Sequence, residues 1–494
     1  MTAERRDDLL IVLAAALPLG VLLLRERMIA GAAGFPLDDS WIHLVFARNL
    51  AEGAGFSFNP GQPVAGSTAP LWTLLLGAVA RVVGASLVMA KTVGVVVALA
   101  AAVLLRWMAR AWGASRAASL VAAVALLWSG PFAWGALSGM EVTLAALLVT
   151  VALHALARQR LVLAALAGGL AALARPEAIV LVPLLALACA PTPRRLALFA
   201  AIVLVVLAPF AVFCWVTTGA PVPATAAAKV EGGLLGRLVG VREPARQLWI
   251  DRPLAFGIEW LTWLVRTHPL LPLALPAIVL AWLRSRALGI VGLVLLAHPL
   301  AMALLAPYRG PGFQEGRYSI HLLPVAMLMI AVVLTTLESR EHRRSTLVSS
   351  ICVLYLGVAV LALLPAAERY AWGVQNINAM QVHLGRWVDA NLPRTATLAV
   401  NDIGAITYFT RRPVIDLMGL VTPEIRPYRR EGEPGVIRFI AEHCPAYVIV
   451  FPTWFPQLTA PSDRLAPIYR VHLERNEVSG GPEMVVYRLV RCTV

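Results

Sequence analysis

Phe35-Pro36-Leu37-Asp38-Asp39-Ser40-Trp41-Ile42-His43 sets two adjacent carboxylates a short step after the apolar run Leu9–Leu24. Neighbouring acids repel, and near a low-dielectric medium they are costly unless a metal, another cation or a proton relieves them. That medium is what the rest of the chain predicts. Of 494 residues, 59% are hydrophobic and only 14% are charged, which excludes a disordered chain and an ordinary soluble domain. Val88–Leu105, Leu196–Val216, Ala287–Leu305 and Leu347–Leu364 are further runs of about the length that crosses a hydrocarbon core.

A formal charge of +14 would point to nucleic acid in a soluble domain. Here the arginines fall in short clusters between apolar runs: Arg5/Arg6, Arg106/Arg110/Arg116, Arg158/Arg160, Arg194/Arg195, Arg284/Arg286 and Arg340/Arg343/Arg344. That pattern orients helices, with the clusters on the cytoplasmic side, and no nucleic acid is expected. The N-terminal run resembles a signal peptide; Arg25-Glu26-Arg27 directly after it argues for an uncleaved anchor.

Counting from the arginine clusters gives about eleven spans, a cytoplasmic N-terminus and an extracytoplasmic C-terminus. Leu71–Val83 is too short to span and is read as a juxtamembrane or re-entrant element. The run 161–190 is too long for one span and breaks at Arg175-Pro176-Glu177. From residue 366 the composition shifts. A helical period in Asn376–Asn391, strand-like runs at Ala396–Val400, Ala446–Phe451 and Met484–Val490, and a helix at Val436–His443 predict a small α/β domain. The expected division is therefore 1–365, a helical membrane domain whose first outer loop (25–70) carries the acids, and 366–494, an extracytoplasmic α/β domain. No CxxC or metal-ligand spacing occurs; Cys444 and Cys492 are able to pair if the tail faces an oxidising compartment.

Every chemically interesting residue falls on the predicted outer side. Asp38 and Asp39 read as a general base beside a metal or acceptor ligand, or as the N-cap of a helix over 40–51; the two readings are compatible. His43, one turn after Asp39, is either a ligand or an interfacial packing residue. Gly53–Gly61 and Gly66–Trp72 are turn-rich, lining a cavity or merely structured. Glu141 begins a helix and complements its dipole, or takes part in a site. Arg175 and Glu177 flank Pro176 as a structural pair or an anion site. Arg175, Arg317 with Tyr318, and Lys229 are basic groups on the wrong side for the orienting rule. Guanidinium forks match phosphate oxygens, so phosphate binding competes with lipid head-group anchoring. Asn401-Asp402-Ile403-Gly404 reads as a turn in preference to an acceptor contact.

Leu37-Asp38-Asp39, the run Ala47–Gly61 and Ser67-Thr68-Ala69-Pro70-Leu71-Trp72 together resemble the GT-C glycosyltransferases. The resemblance is nearest to bacterial lipid-linked sugar transferases similar to the mycobacterial terminal arabinofuranosyltransferases. Weaker support comes from Gly139–Glu141, Ala174–Glu177, Arg317–Pro324 and Asn401–Leu420. The resemblance implies a polytopic GT-C fold in the bacterial inner membrane. It implies transfer of a hexosyl or pentosyl group from a polyprenyl-phosphate sugar to an acceptor hydroxyl, on a glycan or lipid-linked glycan, at the outer face. It maps the catalytic acids onto Asp38 and Asp39, with substrate contacts at His43, Glu141, Arg175, Glu177, Lys229, Arg317 and Tyr318. Some branches use a divalent cation (magnesium or manganese), for which Asp39 and Glu141 are the candidate ligands. Ser40-Trp41 and Pro223–Lys229 depart from the family pattern. The competing classes are a flippase for lipid-linked sugars, which needs an intramembrane charged path, and a non-catalytic scaffold of the same fold. The sequence names no sugar, acceptor or oligomeric state.

Overall fold

The computed structural model describes residues 2–190, 192–228, 232–238, 240–338 and 345–492. It is helical up to residue 391 and ends in a five-stranded sheet. Lys229, Arg340, Arg343 and Arg344 lie outside the described residues. The chain resolves into two compact units: residues 1–23, 92–209 and 230–367 form one, and 24–91, 210–229 and 368–494 form the other.

Among the described residues six helices are long and apolar enough to cross a membrane, and eight if each of two bent pairs is one span. The six are Ala3–Ala30, Leu87–Ala111, Pro193–Thr218, Arg286–Leu304, Phe313–Glu338 and Ser349–Asn391. The bent pairs break at Ser129, by 59°, and before Leu271, by 117°. The expected eleven also counts shorter apolar helices: Val142–Ala157, Leu161–Ala174 and Pro176–Cys189. The helix expected to end near 364 runs on to 391, because no breaker intervenes strongly enough: Pro365 sits inside it.

In the first unit, helices Val142–Ala157 and Leu161–Ala174 form an antiparallel hairpin turned by Gln159 in the left-handed region (φ 56°). The second helix stops at Arg175, which is extended (φ −151°, ψ 117°), because the residue before a proline is pushed out of helical conformation. Some of the orienting arginines have partners of their own. Arg116 grips Asp7 with two hydrogen bonds of 2.7 and 2.8 Å, and Arg106 Nε donates to Asp8 at 2.9 Å.

In the second unit the strands order as β2-β1-β3-β5-β4, with β1 Leu398–Val400, β2 Val414–Asp416, β3 Tyr447–Val450, β4 Leu465–His472 and β5 Glu483–Leu489. β1 runs parallel to both β2 and β3, and β3, β5 and β4 pair antiparallel. One face packs on helix Glu433–His443 through Val436, Phe439 and Ile440. The other face packs on Met380, Leu384, Val388, Ile403 and Ile406, and with them on Ile42, Val45, Phe46, Phe58 and Val64 of the early loop. The early loop is thus part of the sheet's own core. Cys444 and Cys492 form a disulfide, Cα–Cα 5.4 Å.

The helix Pro70–Val83, read above as juxtamembrane or re-entrant, packs against helix Asp39–Ala51. At the crossing, Gly77 leaves no room for a Cβ against Leu50. Lys91 is buried in an ion pair with Glu26 at 2.6 Å, and Tyr370 Oη lies 2.9 Å from its ammonium.

Candidate active site

The second unit separates the two adjacent acids. Helix Asp39–Ala51 begins after Asp38, which holds the N-cap position but makes no side-chain cap. Its carboxylate turns instead to a different helix, Gly404–Thr410: Gly404 N donates to Oδ2 at 2.6 Å and Ala405 N to Oδ1 at 2.8 Å. The N-cap reading of Asp38 is therefore corrected in its geometry, because amides from the far end of the chain out-compete those of its own helix. Gly404 has no room for a side chain; a Cβ there would meet the Asp38 carbonyl and carboxylate.

Near Asp38 lies a second buried acid, Asp402, whose Oδ2 accepts from Gln381 Nε2 at 2.7 Å. Burial, then repulsion by Asp402, holds the Asp38 carboxyl well above the usual carboxylate range, against the pull of the two amides. Burial likewise pushes Asp402 up to about 6, with the nearby Asp39 charge adding to the rise. Asp39, the first residue of its helix, is by contrast only partly buried.

Trp41, the departure from the family pattern, is explained here. Its ring lies 5.0 Å from Phe35, 4.8 Å from Tyr408 and 5.2 Å from Phe409, so it packs the loop onto helix Gly404–Thr410. Arg48 Nη1 reinforces the contact by donating to the Tyr408 carbonyl at 2.8 Å. His43 is buried with Nδ1 3.2 Å from Thr73 Oγ1, which in turn is 3.0 Å from Ser67 Oγ. Thr73, just after the stretch Ser67–Trp72, thus supplies a hydroxyl to His43, and Ser67 meets that hydroxyl in turn.

The first unit gathers the remaining predicted residues that fall in it. The helical hairpin brings Glu141, at its start, beside Arg175, at its end. Arg175 Nη1 is ion-paired with Glu141 Oε1, and its Nε lies 2.9 Å from Glu177 Oε2. The Arg175 guanidinium stands 4.6 Å over the Tyr318 ring, and that of Arg317 stands 5.1 Å from the same ring. Arg317 Nη2 donates to Tyr318 Oη at 3.1 Å. Glu141, Arg175, Glu177, Arg317 and Tyr318 are one cluster of alternating charge.

Sequence reasoning missed several neighbours. His298 Nε2 lies 3.0 Å from Ser319 Oγ, and its ring is 5.4 Å from that of His321. Both imidazoles are buried, and neither nitrogen of His321 has a hydrogen-bond partner among the described residues. The only available signal was three polar residues in the apolar start of the helix after Arg317.

Among the described residues no three His, Cys, Asp or Glu side chains come close enough to hold a metal ion, and one oxygen of Glu141 is bound up with Arg175.

Solved structures show a common architecture. The chain superimposes on the archaeal oligosaccharyltransferase AglB from Archaeoglobus fulgidus, solved in complex with an inhibitory peptide and a dolichol-phosphate. The TM-score is 0.60 at 13% identity, covering 94% of this chain and 73% of that one. It superimposes on ArnT from Cupriavidus metallidurans bound to undecaprenyl phosphate with a TM-score of 0.57 at 15% identity, covering 97% of each chain. Both are GT-C superfamily glycosyltransferases. The chain has the GT-C fold. Residues 375–487 also match a domain of unknown function, DUF8728. No curated protein sequence matches the chain. The matched residues take in the sheet and the helices Gly404–Thr410 and Glu433–His443 of the second unit, not its early loop.

Proposed function

We propose that this GT-C protein is a glycosyltransferase that moves a sugar from a polyprenyl-phosphate donor to an acceptor hydroxyl at the outer face of a bacterial inner membrane. The observation that carries the reading is the splitting of the acid pair: Asp38 is consumed by two backbone amides, whereas Asp39 remains partly exposed at the head of its helix. Support comes from the fold shared with ArnT, which was solved with undecaprenyl phosphate. The Cys444–Cys492 disulfide supports an oxidising, extracytoplasmic setting for the sheet.

In this reading Asp39 accepts the proton of the acceptor hydroxyl, whose oxygen attacks the anomeric carbon while the bond from that carbon to the phosphate oxygen breaks. The departing polyprenyl phosphate carries the negative charge. That charge needs guanidinium or ammonium partners, for which Arg175, Arg317 and Lys229 are the candidates by residue type. Glu141 and Glu177 hold Arg175 extended, Tyr318 supports both guanidiniums, and His43 steadies the loop. The proton on Asp39 returns to solvent. No step is assigned to a metal.

Against the flippase reading, the main mid-span charge, Lys91, is matched by Glu26. The test is transfer by purified protein in nanodiscs, given a panel of radiolabelled undecaprenyl-phosphate sugars and a cell-envelope glycan extract. Asp39→Asn is expected to lower transfer by about 10³-fold, within the range a general base supplies. Transfer undiminished in Asp39→Asn ends the assignment, and movement of label into vesicles without transfer favours the flippase.

A further inference from the structure

In the first unit, helices Leu161–Ala174 and Pro193–Thr218 meet at Gly169, where an added Cβ would lie 3.1 Å from the Val206 side chain. About two turns back toward the N-terminus of each helix, the space between them is a groove of about 500 Å³. Val162, Leu163, Leu166 and Leu198 form its apolar wall, and Arg160 and Arg195 line it with them. Val162 is 53% and Leu198 50% exposed, so the groove faces outward. Helix Pro193–Thr218 is the least covered of the six long spans, with 11% of its apolar window buried. The wall therefore lies where lipid chains run.

The two guanidiniums are unlike those of the other orienting clusters. Arg106 and Arg116 are spent on Asp8 and Asp7, and Arg284 on the Gly113 carbonyl. Neither Arg160 nor Arg195 has a carboxylate partner among the described residues. The sequence offers none nearby: residues 142–176 and 178–230 contain no Asp or Glu. Arg158 and Arg194 stand beside them in the chain and add to the positive charge. An arginine that only orients a helix extends singly into water. These two line one groove that also offers a place for a hydrocarbon chain.

We propose that this groove is a binding site for an anionic phospholipid, with an acyl chain along Val162, Leu163, Leu166 and Leu198 and the phosphate between Arg160 and Arg195. The site is separate from the acids and from the Arg175 cluster, and it stands whether or not the protein transfers a sugar. Guanidinium forks match phosphate oxygens. A basic pocket between membrane helices, at the end that the arginine pattern assigns to the cytoplasm, is where acidic head groups collect. Helix Leu161–Ala174 starts after Arg160 without a side-chain cap, so its first amides add to the positive field. A soluble anion would meet the arginines and leave the apolar wall unused. A zwitterionic lipid would use the wall and bring its own cation against the arginines. An anionic phospholipid answers both.

The test is native mass spectrometry of the full-length protein in detergent, titrated with phosphatidylglycerol or phosphatidylcholine of equal chain length. Wild type is expected to hold phosphatidylglycerol about 30-fold more tightly, a factor of about five for each arginine. Arg160→Gln with Arg195→Gln should bring that ratio to about one. Arg284→Gln with Arg286→Gln removes the same charge from another cluster and should leave the ratio as in wild type. Because arginines also orient helices, a further variant keeps them all: Leu163→Trp with Leu166→Trp fills the groove and should abolish retention of phosphatidylglycerol. Glycerol phosphate at the same concentration should not displace the lipid. Equal affinity for the two lipids in wild type overturns the proposal. So does a preference that survives either groove variant, or one that is lost equally in the Arg284/Arg286 control. Displacement by glycerol phosphate would mark a site for the anion alone, and equal displacement by undecaprenyl phosphate would give the groove to the carrier lipid; either result overturns the assignment to a phospholipid.

Discussion

Asn59 exchanges two hydrogen bonds with the backbone of Val414: its Oδ1 accepts from Val414 N at 2.9 Å, and its Nδ2 donates to Val414 O at 3.0 Å. Val414 begins β2, an edge of the sheet, so one side chain of the early loop imitates a missing strand. Asn59→Ala is expected to destabilise this unit by about 1–2 kcal/mol. Amide exchange at Val414 and a thermal melt check it; protection equal to wild type would show that the pairing contributes nothing.

Lys91 and Glu26 answer each other inside the second unit. Breaking a buried pair by removing one partner costs about 3–5 kcal/mol, whereas replacing both with neutral groups costs far less. Lys91→Met is therefore expected to aggregate or melt early in detergent, and Lys91→Met with Glu26→Gln to recover most of the loss. Equal melting of the single and double variants would contradict the pairing.

Arg175 reaches two carboxylates at once, with Nη1 on Glu141 and Nε toward Glu177. A lysine carries the charge but lacks the planar fork. Arg175→Lys should weaken binding of undecaprenyl phosphate about tenfold if this cluster receives the donor's phosphate. Undiminished binding, measured by native mass spectrometry, would assign the cluster to structure alone.

The Asp38–Asp402 pair also makes stability depend on pH. Burial raises both groups, Asp402 to about 6, and the Asp402 charge raises Asp38 further. A raised acid contributes stability that is complete below the ordinary aspartate value of about 3.9 and is lost as pH rises through its folded value. Wild type should accordingly lose ground to Asp402→Asn as pH climbs from about 4 to about 7, by about 2 kcal/mol. Parallel melting curves across that range would show that the two acids do not repel in the folded protein.

The apolar runs were legible because a span must be long and uniformly apolar, so a polytopic membrane protein follows from composition, while the GT-C architecture came from the resemblance of the acid-bearing loop. The break at Arg175-Pro176 was legible for the same kind of reason: a proline forbids the helix on its N-terminal side. The cluster of Glu141 with Arg175 was only half legible. Their types marked them as out of place, but their meeting depends on the hairpin between them. Asp402 was read as turn chemistry because Asn-Asp-x-Gly is common in turns; its neighbour Asp38 lies more than three hundred positions earlier, a separation that local spacing does not encode. The continuity of the helix through Pro365 went unseen because the change in composition there imitates a boundary.

The early loop and the sheet share one core although almost the whole chain lies between them in sequence. A ribosome that has just released residues 24–91 must still make some three hundred more before their partner exists, on the order of tens of seconds at ordinary synthesis speed. During biogenesis Ile42, Phe46 and Phe58 therefore wait uncovered, and a nascent chain cut short at any point leaves its acids unseated. Completion of the protein and assembly of its reactive loop become the same event, so a partial product is silent by construction.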